Sequence, residues 1–293
     1  MTPKNIGVWA AVDALPAADA AKFVRSVEAA GYDTLWIPEG MGREVFGASA
    51  WLLANSTTIT IASGIANIYA RDAFSAVASR RTLNEQWNGR FMLGLGVSHV
   101  PLVEGLRHSQ YGKPVPTMRA YLEAMEQAPY GAPMPSKMGP LVLAALGPLM
   151  LALARDKTDG AHPYNSMPEH TAEARGILGA GKLLCVEQAA ILETDPPKAR
   201  ALARQFLQIY IGLPNYVNMW KRFGLTDADM AGGGSDRLVD TVVAWGDEAA
   251  IRRRIDAHLQ AGADQVCVQA LGPVVGGMCA PDLKLLQLLA PGA

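Results

Sequence analysis

Eight short apolar runs, at residues 6–10, 34–38, 58–65, 91–97, 141–146, 160–162, 184–192 and 265–271, recur along the sequence between longer amphipathic stretches. Each run is nearly continuous in apolar residues instead of alternating apolar with polar. A strand of that kind is covered on both faces, as in a parallel sheet wrapped by helices. The intervening segments carry helical periodicity. Residues 16–30 place Phe23, Val24, Val27 and Ala30 on one stripe. Asp247 is a good N-cap, and Ile251, Ile255, His258 and Leu259 follow it on one face. Two of these helices end alike. Ala30-Gly31-Tyr32-Asp33 leads into Thr34-Leu35-Trp36-Ile37, and Ala261-Gly262-Ala263-Asp264 leads into Gln265-Val266-Cys267-Val268. Each glycine can take the left-handed conformation that ends a helix and turns the chain back into a strand.

Eight β–α units in 293 residues predict an α/β fold, a closed (β/α)8 TIM barrel, as a single domain over residues 1–293. A doubly wound sheet would open with a glycine fingerprint after its first strand, and Ala11-Val12-Asp13-Ala14 contains none. Residues 195–245 break the rhythm. Within them 196–210 and 215–223 look helical, and Ala231-Gly232-Gly233-Gly234-Ser235-Asp236 reads as a flexible loop. This stretch is expected to be a mostly helical insertion between strands 7 and 8, beside the strand C-termini where sites form; plain helical padding is the alternative.

Composition narrows the classes of function. Half the residues are hydrophobic and 18% are charged, against about 25% charged in an average soluble domain. Lys plus Arg is 26 and Asp plus Glu is 27, a formal net charge of −1. No basic excess exists to neutralise a phosphate backbone, so nucleic-acid binding is not expected. Cys185, Cys267 and Cys279 lack metal-ligand spacing, and neither a disulfide framework nor a metal site is expected. The apolar stretch at residues 6–10 is too short for a signal-peptide core. Residues 138–154 carry no charge, but Gly147-Pro148 interrupts them, and they read as strand, tight turn and helix start rather than a membrane span. The expected setting is cytoplasmic, with a small-molecule substrate as partner and no membrane.

No nucleophile elbow, Walker loop, zinc motif or kinase signature is present. Gly94-Leu95-Gly96-Val97-Ser98-His99 is like a glycine-rich phosphate loop without its final glycine; close backbone packing is the other reading. In a barrel, function gathers at strand C-terminal ends. The polar residues there are Glu39, Asn67, Tyr69, Arg71, Ser98, His99, His162, Tyr164 and Gln269. Each has a plain structural alternative: Glu39 as a loop cap, Arg71-Asp72 as a helix start, His162 as a satisfied core histidine. Arg252-Arg253-Arg254 reads as a solvated helix face.

These segments together resemble the luciferase-like flavin and deazaflavin oxidoreductases, and within them the branch that uses coenzyme F420. The most specific stretches are Ala62-Ser63-Gly64-Ile65-Ala66-Asn67-Ile68-Tyr69-Ala70-Arg71-Asp72 and Asn88-Gly89-Arg90-Phe91-Met92-Leu93-Gly94-Leu95-Gly96-Val97-Ser98-His99. Leu143-Ala144-Ala145-Leu146-Gly147-Pro148, Gly160-Ala161-His162-Pro163-Tyr164 and Leu213-Pro214-Asn215-Tyr216 add to them. The resemblance implies a hydride transfer between coenzyme F420 and a small organic substrate, with the protein as a homodimer. It implies a non-proline cis peptide at Gly64-Ile65, a bulge pressed against the back of the tricyclic ring, and a glycine there so that no Cβ obstructs the ring. Asn67 would bond the ring's polar edge, Ser98 would lie near the cofactor side chain, and His162 would belong to the same cofactor set. Gly147 would open a helix whose free N–H groups hold an anionic phosphate. Many relatives place an acid and a histidine after the second strand; here Glu39 is followed by Gly40, so only the acid is present. His99 aligns with a glutamate that serves one branch as general acid/base, which makes His99 the expected proton carrier and Glu39 its companion. Trp9, Asn215 and Tyr216 would border the substrate; Tyr216, Met219 and Trp220 are an apolar lining or, as residues three and four apart on a helix more often are, core. An FMN-dependent monooxygenase on the same barrel is one alternative, and a non-catalytic flavin-binding or ligand-binding carrier is another.

Overall fold

The computed structural model describes residues 5–275 and 278–291. Its strands are β1 (Ile6–Trp9), β2 (Thr34–Ile37), β3 (Thr60–Ser63), β4 (Ala66–Asn67), β5 (Phe91–Gly96), β6 (Leu141–Leu143), β7 (Gly160–Ala161), β8 (Leu183–Leu192), β9 (Ala244–Gly246), β10 (Gln265–Val275) and β11 (Met278–Pro281). Among the described residues, eight of them close into a parallel barrel in the order β1, β2, β3, β5, β6, β7, β8, β10. The ring closes where β10 pairs with both β8 and β1. The apolar runs of the sequence and the barrel strands therefore coincide. Three short strands lie off the ring: β4 continues β3 along β5, β9 pairs with the end of β8, and β11 folds back antiparallel on β10.

Helices α1 (Ala17–Ala29), α2 (Val45–Ala54), α3 (Ala73–Gln86), α4 (Pro114–Gln127), α5 (Pro148–Lys157) and α6 (Pro168–Leu178) alternate with the first seven barrel strands. Gly31 (φ 88°) and Gly262 (φ 103°) take the left-handed turn expected of them. Asp72 caps α3 by accepting from Ser75 N–H. Residues 138–154 form the expected strand, turn and helix start. No helix among the described residues is long and apolar enough to cross a membrane.

Between β8 and β10 the chain forms α7 (Pro196–Ile211), α8 (Pro214–Arg222), α9 (Asp227–Met230), α10 (Asp236–Val242), β9 and α11 (Glu248–Gln260); α12 (Leu283–Leu288) follows β11. From α4 to α8 every helix opens on a proline at N1, where the missing N–H has no partner to lose. A separate apolar core joins α7, α8 and α10 to Met167, Ala189, Ile191 and Leu271 near strand ends, which sets these helices over the C-terminal mouth. Arg252-Arg253-Arg254 departs from the solvated reading. Only Arg253 is exposed. Arg252 caps the Leu288 carbonyl, and Arg254 caps those of Asp240 and Thr241.

The lower bore is filled. Trp9, Trp36, Ala62, Met92, Val142, Cys185 and Cys267 meet there. Trp36 stacks on His162, ring centroids 4.0 Å apart. Gln265 accepts from Trp36 Nε1 and donates to Thr34 Oγ1. Gly7 must be glycine beside it, because a Cβ would stand 2.8 Å from Gln265 Cδ.

Candidate active site

The mouth is shaped by one extra residue. Ala62 pairs with Met92 and Ala66 with Leu95, so residues 63, 64 and 65 oppose only 93 and 94. That is a β-bulge, a common device next to sites. The Gly64–Ile65 bond within it is cis. Ser63 ties the bulge to β5: its Oγ donates to Gly94 O and accepts from Gly94 N–H, both at 2.9 Å. The neighbouring glycines follow from this packing. A Cβ on Gly94 would meet Ser63 O at 2.1 Å, and one on Gly96 would meet Ile65 Cδ1 at 2.4 Å. Gly94-Leu95-Gly96 is thus a packing surface for the bulge, not a phosphate loop. Gly64 is glycine for a different reason from the one the resemblance implies. Its Cβ would stand 2.7 Å from Trp9 Nε1 and 3.1 Å from His162 Nε2, so the clearance is for the bore.

Glu39, after β2, is committed on all sides. Its Oε2 accepts from Asn67 N–H and Arg71 Nη1, both at 2.8 Å, and its Oε1 accepts from Val45 N–H and from Arg71 Nη2. Its side chain is 4% exposed. Arg71 also pairs with Glu44, the N-cap of α2, and lies over the Phe46 ring. A carboxylate so held fixes the β4 backbone and has little capacity left for proton transfer. Asn67 in turn accepts from Tyr69 N–H at 2.9 Å.

Ser98 takes a left-handed φ of 56°, which turns the chain out of β5. His99 follows and its carbonyl accepts from Leu102 and Val103 N–H, starting a π-helical turn, Pro101–Leu106, anchored by buried Val103. The His99 ring faces α8. It lies 5.7 Å from the Tyr216 ring, and burial lowers its pKa against an opposing contribution from the Asn215 side chain. Met219 and Trp220 are core of the α7–α8 layer, not lining; Trp220 Nε1 donates to Asn165 O.

His162 is fully buried. Its Nδ1–H donates to Cys185 O at 2.7 Å, and burial holds its pKa down to about 4, so Nε2 is a bare acceptor. That Nε2 and the nearby Trp9 Nε1–H are both without partners among the described residues. Tyr164 packs on Trp9 and bonds Tyr210 and Gln269. Gly147 caps α5 with nothing within 4 Å of where a Cβ would stand; Pro148 carries no N–H and the Met150 and Leu151 N–H groups bond the Gly147 carbonyl, which leaves the Leu149 N–H as the open amide of that first turn. Arg222, which pairs with Glu173, also donates to Leu146 O there at 3.2 Å. The structure thus brings Gly64 and His162 together with Trp9, sets Asn67 on Glu39, and sets His99 on α8. Sequence reasoning missed Ser63 and Arg222. Among the described residues no group of three or more His, Cys, Asp or Glu side chains could hold a metal ion.

The chain belongs to the luciferase-like monooxygenase family, whose sequence model matches residues 1–265. A Mycobacterium tuberculosis protein provisionally named a coenzyme F420-dependent oxidoreductase is 24% identical, over 91% of this chain and 94% of that one. The 5,10-methylenetetrahydromethanopterin reductase of Methanolobus tindarius is 26% identical, over 88% and 92%. In fold, the chain is similar to the coenzyme F420-dependent tetrahydromethanopterin reductase of Methanopyrus kandleri, with a TM-score of 0.77 at 18% identity over 98% and 97% of the two chains.

Proposed function

We propose that the protein is a coenzyme F420-dependent oxidoreductase acting on a small organic substrate. The observation that carries this reading is the bulge at residues 63–65, opening on the same mouth as the unobstructed start of α5. The first offers a ledge for a planar ring, and the second offers the open backbone at Gly147 and Leu149, beside the Arg222–Glu173 pair, for a phosphate. Unpaired Trp9 Nε1 and His162 Nε2 beneath the ledge fit a site whose polar partners arrive with a ligand. The F420-dependent names of the curated relatives favour the deazaflavin over FMN.

When bound, the deazaflavin supplies hydride chemistry at one ring carbon. The chain's own residues do the rest. Gly64, Ile65 and Asn67 set the ring's height and edge, Ser98 and Gly147 border its side chain, and His162 supports the floor. Glu39 holds Asn67 in place through the backbone N–H. His99, at the rim, exchanges protons between the site and water, and its neutral form at pH 7 suits it to accept one. Trp9, Tyr164 and Tyr216 exclude water from the pocket.

Fluorescence-quenching titration tests the cofactor. F420 should bind more tightly than FMN; tighter FMN binding, with rapid oxygen consumption by the reduced protein, would move the chain to the monooxygenase reading. His99→Ala should leave F420 affinity within a few-fold while lowering turnover by about 10²-fold. Unchanged turnover removes His99 from the chemistry.

A further inference from the structure

Buried polar atoms in folded proteins are nearly always paired, because an unpaired one has lost water and gained nothing. On one side of the mouth that rule fails repeatedly. Asn165 Oδ1 and Nδ2, Ser166 Oγ and Glu187 Oε1 are buried with no partner among the described residues. The three residues are each at most 1% exposed. Glu187 is the anomaly within β8, a single acid in an otherwise apolar strand save for Gln188. Cys185 faces the bore, so Glu187, two residues further on, faces it too. Asn165 lies just past β7 and its N–H donates to Glu187 Oε2 at 2.8 Å, which draws the carboxyl toward the mouth.

The titratable groups around Glu187 are Tyr164 after β7, Tyr210 on α7, Tyr216 on α8 and Cys267 on β10. None is charged at neutral pH, and among the described residues no cation balances the carboxyl. A lone buried charge is costly, so the group keeps its proton. Burial pushes its pKa up to about 8.

We propose that Glu187 is the site's internal acid: it stands neutral among the tyrosines and gives its proton to the oxygen or nitrogen of a small carbonyl or imine substrate. This rests on the deazaflavin reading above and names the substrate class for it. The carbonyl carbon gains hydride from the reduced deazaflavin as a new C–H bond. The π pair moves to the heteroatom, which takes the Glu187 proton as a new O–H or N–H bond. The deazaflavin is oxidised by two electrons, the substrate is reduced by two, and water returns a proton to the carboxylate.

Two measurements test this. Infrared spectra of the ligand-free protein at pH 7 should contain a protonated carboxyl band that moves on exchange into heavy water and is missing in Glu187→Gln. A wild-type spectrum without that band overturns the proposal. Hydride transfer from reduced F420 to cyclohexanone, followed by stopped flow, should fall in the wild type above about pH 8. Glu187→Gln should be about 10²-fold slower and lose that limb, with F420 affinity retained. Glu187→Asp should restore part of the rate. A glutamine variant with wild-type rate and profile overturns the proposal. A protein that shows the band yet binds no F420 overturns the deazaflavin reading and keeps the neutral acid; one that binds F420 without the band does the reverse.

Discussion

Ser63 Oγ exchanges two hydrogen bonds with Gly94 at the point where the β3–β4 strand holds one residue more than β5. Ser63→Ala would remove both side-chain bonds to the Gly94 backbone in the bore wall. The expected loss is about 1–3 kcal/mol, read as a lower urea midpoint, with weaker F420 binding as the ledge relaxes. An unchanged midpoint would mean that the bulge holds without the hydroxyl. Glu187 affects stability through pH. Its folded pKa of about 8 lies above the ordinary 4.5. Between those values the folded state keeps a proton that the unfolded state has released. Stability contributed by this group therefore falls as pH rises from about 4.5 to about 8, and is flat beyond. Glu187→Gln lacks the titration. Its urea midpoint relative to wild type should rise between pH 5 and pH 8; parallel curves would contradict the assignment.

At the scale of elements, Arg71 binds the end of β2 to the start of α2 and the turn after β4. Glu39→Ala would strip a buried guanidinium of one of its two carboxylates and free the Asn67 N–H. A loss on the order of 3 kcal/mol is expected, whereas Glu39→Gln, which keeps the acceptor for Asn67, should lose much less. Equal losses would show that the carboxylate charge alone matters. The strands were legible because a barrel wall imposes continuous apolar runs, and the helix ends were legible at Gly31 and Gly262 because few residues tolerate that turn. Glu187 was overlooked because it sits inside a run judged by its apolar majority, although an uncompensated acid in such a run is itself a signal. Arg222 reaches Leu146 across 76 positions, a contact that no local pattern announces. The fate of Glu39 was hidden in the same way: the sequence places Arg71 32 residues away. β9 and β11 escaped because they lie off the ring, where no wall covered on both faces imposes a continuous apolar run.

Across the whole molecule, burial makes four imidazoles resist protonation, His258 and His162 most strongly. His258 ties α11 to α6 and β8, donating from Nε2 to Gln188 Oε1 at 2.9 Å and accepting from Thr171 Oγ1 at 2.8 Å. Burial lowers its pKa from 6.5 to about 3, and that of His162 to about 4. Below pH 6.5 the unfolded chain binds protons that the folded one refuses. Stability is therefore fully present above about pH 6.5, declines as pH falls toward those lower values, and levels off beneath them. His258→Gln should flatten the fall in thermal midpoint between pH 6 and pH 4; an unaltered slope would exclude His258 as a source.

The stack of Trp36 on His162, sealed below by Gln265, makes the barrel a well with a floor. A well has one doorway. A hydride carrier and the compound it reduces must both come and go by the rim, so whichever settles deeper has to arrive first and depart last. The order of binding is thereby written into the plumbing of the protein, ahead of any chemistry performed there.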